Sequence, residues 1–199
     1  MHAIDVDRDG DIDVLSASQS DNKIAWYEND GAENFTIRTI STSALGARSV
    51  FAADVDGDGD VDVVAASHLD DKVSWYDNDG AQSFSVRTIG QNADGAYSAR
   101  AADIDGDGDL DIISALFVDD AVTLYENRSI HRSAVFPDIN TITAAAINAE
   151  SAFPADLDGD GDLDAVIASS GDDTIAWHAN DGSGNFGPRQ IISTLADGA

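Results

Sequence analysis

Carboxylates in strict alternation recur four times along the chain: DVDRDGDID from Asp5, DVDGDGDVD from Asp54, DIDGDGDLD from Asp103 and DLDGDGDLD from Asp156. Each nine-residue stretch carries Asp at positions 1, 3, 5, 7 and 9 and Gly at position 6. The residues concerned are Asp5, Asp7, Asp9, Asp11 and Asp13; Asp54, Asp56, Asp58, Asp60 and Asp62; Asp103, Asp105, Asp107, Asp109 and Asp111; and Asp156, Asp158, Asp160, Asp162 and Asp164. Carboxylate oxygens are hard donors, and Ca²⁺ takes about six to eight oxygens at roughly 2.3–2.6 Å. A loop that turns alternate side chains inward can supply most of them, so one Ca²⁺ is expected per loop. By analogy with known acidic loops, positions 1, 3, 5 and 9 should offer side chains and position 7 its backbone carbonyl. In the second loop these are Asp54, Asp56, Asp58 and Asp62, with Asp60 at position 7. Gly57 and Gly59 let the backbone curl, and Gly59 is expected at positive φ. Arg8 stands where the other loops have their first Gly, and that site is expected to bind more weakly.

The competing reading is a set of solvated acidic turns. Two carboxylates at about 4 Å repel by up to roughly 4 kcal/mol at an effective dielectric of about 20. Five in one short loop, repeated four times, call for a counter-ion. Mg²⁺ suits the pattern less well, because it favours few carboxylates and several waters. An EF-hand needs Glu at position 12 between helices, where this chain has Ser16, Ala65, Ser114 or Ile167 between strand-like runs. Nine-residue β-helix repeats have the wrong period.

The elements that hold the loops repeat with them. The loops start 49, 49 and 53 residues apart. After each comes a β-prone run (VLSAS, VVAAS, IISAL, AVIAS), a polar turn, and a second run (KIAWYEN, KVSWYDN, AVTLYEN, TIAWHAN). From the first loop Asp to Trp26, Trp75, Leu124 or Trp177 is 21 residues every time. An unchanging internal spacing means one rigid unit, copied. Asn-Asp-Gly turns follow in units one, two and four, with the positive φ that hairpins need. Then Phe35, Phe84 or Phe186 appears, and in the first two units it opens an alternating run, FTIRTI or FSVRTI. A small apolar run such as Ser49–Ala53 precedes each loop.

Each unit therefore reads as four short antiparallel strands, and no segment has a helical period. Four-stranded units repeating every 40–50 residues or so suggest propeller blades. The fold class is all-β, a β-propeller with blades at 1–47, 48–96, 97–149 and 150–199. The four blades either close on themselves or form part of a larger ring. Unit three lacks the turn Gly (Asn127-Arg128-Ser129) and carries four extra residues, so an irregular outer strand and a longer connection are expected there.

The formal charge is −28, and 20 of the 38 acidic residues lie in the loops. Such a surface repels nucleic acid and anionic lipid, which excludes both as main partners. There is no Cys, so no disulfide framework exists. No apolar run nears the ~20 residues of a membrane-spanning helix. MHAIDVD lacks the basic and apolar parts of a secretion signal, so a signal for export would lie outside this chain.

The D-x-D-G-D-G-x-x-D loop after a short strand, with N-D-G-x-x-x-F closing the unit, resembles the FG-GAP/VCBS repeats. These are the calcium-binding blades of integrin α-subunit propellers and of many secreted bacterial proteins. The resemblance covers essentially the whole chain. It implies a ring commonly of seven or eight blades, a secreted or cell-surface location, and a calcium-stabilised scaffold for adhesion, for protein or carbohydrate recognition, or attached to a polysaccharide-acting enzyme. An open set of four blades would leave two faces bare and favour a homodimer that completes an eight-blade ring, or aggregation. The expected function is non-catalytic recognition. His2, His68, His131 and His178 have no partners at catalytic spacing, and the chain has no nucleophile elbow, zinc signature or phosphate loop. A lectin-like reading would use Trp26, Trp75, Trp177, Tyr27 and Tyr76 as stacking surfaces, although the Trp residues are expected to pack between blades.

Overall fold

The computed structural model describes residues 1–128 and 134–198, and is all-β. Ser129 and His131 lie outside the described residues. Among the described residues, sixteen strands form four antiparallel sheets, each in simple chain order. Blade 1 holds β1 (His2–Ile4), β2 (Asp13–Ser18), β3 (Lys23–Asn29) and β4 (Phe35–Ser41). Blade 2 holds β5 (Ala47–Ala53), β6 (Asp62–Ser67), β7 (Lys72–Asn78) and β8 (Phe84–Gln91). Blade 3 holds β9 (Ala96–Ala102), β10 (Asp111–Leu116), β11 (Ala121–Glu126) and β12 (Asp138–Thr143). Blade 4 holds β13 (Ala149–Ala155), β14 (Asp164–Ser169), β15 (Thr174–His178) and β16 (Gln190–Ser193). The acidic loop joins the first and second strand of every blade.

Period two sorts the side chains into two faces per blade. One cross-strand row runs Leu15–Trp26–Arg38 in blade 1 and Val64–Trp75–Arg87 in blade 2. This face looks toward the following blade. Leu15 and Trp26 share a core with Val63 and Tyr76, Val64 and Trp75 share one with Ile112 and Tyr125, and Ile113 shares one with Ala165 and Ile167. The core is thus three slabs between consecutive blades. Trp26 and Trp75 are fully buried, as the inter-blade reading expects. Arg38 and Arg87 lie over their rings at 5.3 and 4.8 Å and pair with Glu28 and Asp77, so neither indole is open to a sugar.

The last residue of each blade's polar turn ties the blade to the segment that follows its outer strand. Asn22, Asp71, Asp120 and Asp173 all adopt positive φ, between 51° and 57°. Their side chains accept the backbone N–H of Gly46, Gly95, Asn148 and Gly198 at 2.8, 2.9, 2.7 and 3.2 Å. Asn and Asp tolerate this conformation and supply the acceptor, which explains the polar turn.

In blade 3, β12 pairs with β11 through the same one-residue shift that every other blade shows at that place. The extra residues lie wholly in the connection between β11 and β12. In blade 4, Phe186 makes only an isolated bridge with Asn180, and the outer strand begins at Gln190. Pro188 intervenes and has no N–H to give to a ladder.

The four sheets pack in chain order, and among the described residues no strand of blade 4 packs substantially on blade 1. The arrangement is an open propeller-like arc.

Candidate metal centres

Position 9 anchors each loop. Asp13, Asp62, Asp111 and Asp164 open the second strand of their blades and are fully buried. One carboxylate oxygen accepts the N–H of position 2: Val6, Val55, Ile104 and Leu157, at 2.9, 3.1, 3.0 and 2.8 Å. The other accepts the N–H of Asn29, Asn78, Asn127 and Asn180, at 2.8, 2.8, 2.7 and 3.0 Å. The side chain therefore joins the start of the loop to the end of the third strand. Burial nevertheless wins over these donors at two sites, pushing Asp62 and Asp111 up to about 7.

Above this anchor the other carboxylates converge. Oxygens of Asp5, Asp7 and Asp13 lie within 4.8 Å of one another, as do those of Asp103, Asp105 and Asp111, and of Asp156, Asp158 and Asp164. In blade 2 the grouping is Asp54, Asp56 and Asp58, also within 4.8 Å. Loss of hydration raises the carboxyls of Asp7, Asp56, Asp105 and Asp158, and neighbouring carboxylates add to the rise. One oxygen each of Asp5 and Asp54, both Oδ1, is buried with no hydrogen-bond partner. A buried acceptor without a donor is costly, and a cation relieves both that cost and the mutual repulsion. The donor set is all oxygen, which suits a hard divalent cation.

The remaining loop carboxylates lie outside these groupings. At position 5, Asp9, Asp58, Asp107 and Asp160 accept the N–H of position 7 at 2.8–2.9 Å, and only Asp58 also joins a grouping. At position 7, Asp11, Asp60 and Asp162 lie over Gly31, Gly80 and Gly182 of the Asn-Asp-Gly turns, where any Cβ would collide with them. Those glycines serve twice, through positive φ (72°, 73° and 76°) and through the room they leave. Asp109 is in no grouping either.

Gly59 does adopt positive φ, as do Gly10, Gly108 and Gly161, at 96–103°. Arg8 keeps the left-handed turn of the glycines it replaces (φ 62°). Its guanidinium reaches the neighbouring loop and pairs with Asp60 at 3.3 Å. The substitution therefore adds an inter-loop cation, a role that needs the three-dimensional neighbour to be seen.

In the sequence, Asn29, Asn78, Asn127 and Asn180 read as turn residues. Each stands 24 residues after its first loop Asp, which was the available signal. Their amides donate to the position 8 carbonyls of their own loops, Ile12, Val61, Leu110 and Leu163, at 3.0–3.1 Å. Asn127 and Asn180 also donate to Val55 and Ile104 of the preceding loop, at 3.2 and 2.6 Å.

The histidines are spread out. His2 packs on Phe51, His68 edges against Tyr97 and Phe117, and His178 Nδ1 lies 2.8 Å from the Gly187 carbonyl oxygen.

Fold and loops together define an all-β, propeller-like repeat protein with one acidic loop per blade. The family model for the FG-GAP-like repeat matches residues 5–65, 54–114 and 156–199, more than half of the chain, and the chain belongs to that family. No curated protein sequence matches it. Among solved structures, it is similar to an Agrocybe aegerita lectin that recognises non-reducing terminal N-acetylglucosamine, at 19% identity and TM-score 0.64. That match covers 98% of this chain and 52% of the lectin chain, so this chain spans about half its length. It is also similar to the V. cholerae biofilm matrix protein Bap1, at 19% identity and TM-score 0.50, covering 92% of this chain and 28% of that one. These likenesses show a shared fold. No helix among the described residues is long and apolar enough to cross a membrane.

Proposed function

We propose that the chain is a non-catalytic recognition module, working outside the cell, whose blades are each stiffened by one Ca²⁺. The observation that carries the reading is the convergence of three carboxylates in every loop, with buried, unpartnered oxygens on Asp5 and Asp54. Positions 1, 3 and 9 would hold the ion in blades 1, 3 and 4, and positions 1, 3 and 5 in blade 2. The ion supplies a positive charge that lets packed carboxylates stay ionised. The chain's own part is to fix them: position 9 through two backbone N–H groups, and position 5 through the N–H of position 7. Weak sites suffice outside the cell, where calcium modules work with dissociation constants near 10⁻⁴–10⁻³ M, roughly.

A carbohydrate or protein ligand is the partner that fits such a scaffold. The fold shared with an N-acetylglucosamine-binding lectin supports a sugar as the first ligand to test. The buried Trp26, Trp75 and Tyr76 are not its stacking surface. Membership of the FG-GAP-like repeat family supports an adhesive role as part of the same reading.

The test is calorimetric titration of Ca²⁺ into chelator-stripped protein, followed by a glycan array and a hydrolase and lyase screen on the loaded form. Saturable heat, with a much weaker response to Mg²⁺, is the expected result. Absence of Ca²⁺ binding removes the metal reading, and turnover abolished by one substitution removes the non-catalytic one.

A further inference from the structure

We propose that the cleft between blades 2 and 3, at the end of the blades that carries the polar turns, receives the ammonium-tipped side chain of a lysine presented by a partner protein. The site lies at the opposite end of the blades from the acidic loops, so it goes beyond the calcium reading and does not depend on it.

The other blades show what this place ordinarily contains. Two residues before the third strand, every polar turn carries an Asp: Asp21, Asp70, Asp119 and Asp172. Three of them have a cation. Lys23 and Lys72, the first residues of β3 and β7, lie 3.0 Å from Asp21 and Asp70, and Arg189 lies 2.9 Å from Asp172. Period two puts Lys72, Ser74 and Tyr76 on one face of β7. The Asp70 and Lys72 charges both act on the Tyr76 hydroxyl, which also faces Ser41 of blade 1.

Between blades 2 and 3 the same place differs in three residues. Ala121 opens β11 where Lys72 opens β7. Asp94, in Ala93–Ala96, stands where Ala44–Ala47 has Leu45. Gly90 lies opposite Val73 as Ser41 lies opposite Ile24. A lysine stem and its charge are thus lost, and a second carboxylate is added. Asp119 Oδ2 accepts the Asp94 N–H at 3.3 Å. Among the described residues no Lys or Arg pairs with Asp119. Its charged neighbours are Asp94, Asp71 and Asp120, and burial together with their repulsion raises its carboxyl.

The result is a cavity of about 290 Å³, at the small end of ligand pockets and so of a size for one side chain. Its walls include Leu116, Ala121 and Ile139, which suit an alkyl stem, and Asp119, Thr123 and Tyr125, which suit a charged head. Tyr125 is 2% and Thr123 3% exposed, yet among the described residues neither hydroxyl has a hydrogen-bond partner. Gly90 makes the room for Tyr125, since a Cβ there would stand 2.5 Å from the phenol oxygen. Burial, and after it the Asp119 charge, push Tyr125 up to about 12, so its hydroxyl stays neutral and can accept from an ammonium. Buried hydroxyls without partners are costly. One alkylammonium entering from solvent satisfies both of them and Asp119 together. Lys72 shows, in the same fold, the group that completes such a site, and a formal charge of −28 draws basic partners.

The experiment is an NMR titration that follows the backbone amides of the 199-residue chain in millimolar Ca²⁺. The probe is a capped Gly-Lys-Gly peptide, with its norleucine analogue, n-butylammonium and glucosamine alongside. Saturable shifts of the Ala121 and Thr123 amides are expected with the lysine peptide and none with the norleucine peptide. The lysine peptide should bind at least as tightly as either small amine. Tyr125→Phe removes a hydroxyl that the fold does not use, so its melting temperature should match the parent's while binding weakens about tenfold. Asp119→Asn should weaken binding roughly fivefold, the scale of a solvent-facing ion pair. Ala121→Lys should fill the cleft as Lys72 does, raise the melting temperature and abolish binding. Equal shifts with the norleucine peptide, tighter binding of butylammonium or glucosamine, binding that survives Ala121→Lys, or binding unchanged in Tyr125→Phe overturns the proposal.

Discussion

Val6, Val55 and Ile104 are each 2% exposed, whereas Leu157, at the same place in the fourth loop, is 46% exposed. The middle blades and the end blades share the loop motif and the strand order, yet bury different surfaces. Trp75 is sealed between blades 2 and 3, while Trp177 at the matching position is half-buried. The difference teaches that a blade does not own its core. Its apolar rows become core only when a neighbour covers them, as expected of repeats that bury their faces by stacking.

Paired substitutions sharpen that contrast. Trp75→Ala should cost about 3–5 kcal/mol, the usual range for emptying a buried aromatic site, and Trp177→Ala less than half as much in the monomer. Equilibrium urea melts of both check this. Equal losses would break the comparison. At loop position 2, Ile104→Ala should cost about 2–5 kcal/mol, and Leu157→Ala no more than about 0.5 kcal/mol, as at an ordinary surface site. Among the asparagines, Asn127→Ala removes an amide shared by two carbonyls in two blades and should cost about 1–3 kcal/mol. Asn29→Ala removes bonds within its own blade only, to the Ile12 carbonyl and from the Gly31 N–H, and should cost less.

The smallest effect is in pH. Burial raises Asp62 and Asp111, in the middle blades, to about 7, against an ordinary Asp value of about 3.9. Without metal, the folded protein binds more protons than the unfolded chain between those values. Stability of the stripped protein should therefore rise as pH falls from about 7 toward 4, and decline as pH rises through 7. With calcium the trend should reverse, because the bound ion requires ionised carboxylates. Thermal melts across that range, with and without chelator, read the crossover.

Much of this was legible in the chain itself. The alternating Asp pattern located the loops, the constant 21-residue spacing located the Trp row, and period two sorted it from the Tyr row. What escaped was whatever depends on a neighbour. Position 9 reads as one more ligand, and nothing in its own loop shows that its two oxygens also accept N–H groups from residues 7 positions before and 16 after. Position 7 reads as a carbonyl donor, and nothing in its own loop shows that its side chain rests on a glycine of the next turn. Arg8 reads as a defect and is a bridge to another blade.

The central claim is that each blade holds one Ca²⁺ on its own carboxylates. Native mass spectrometry of the intact chain in calcium, beside an Asp54→Asn variant, tests it most directly. The account predicts four ions per chain in the parent, three in the variant, and a melting temperature that falls when chelator strips them. A parent that carries no calcium and melts identically with and without chelator would contradict it.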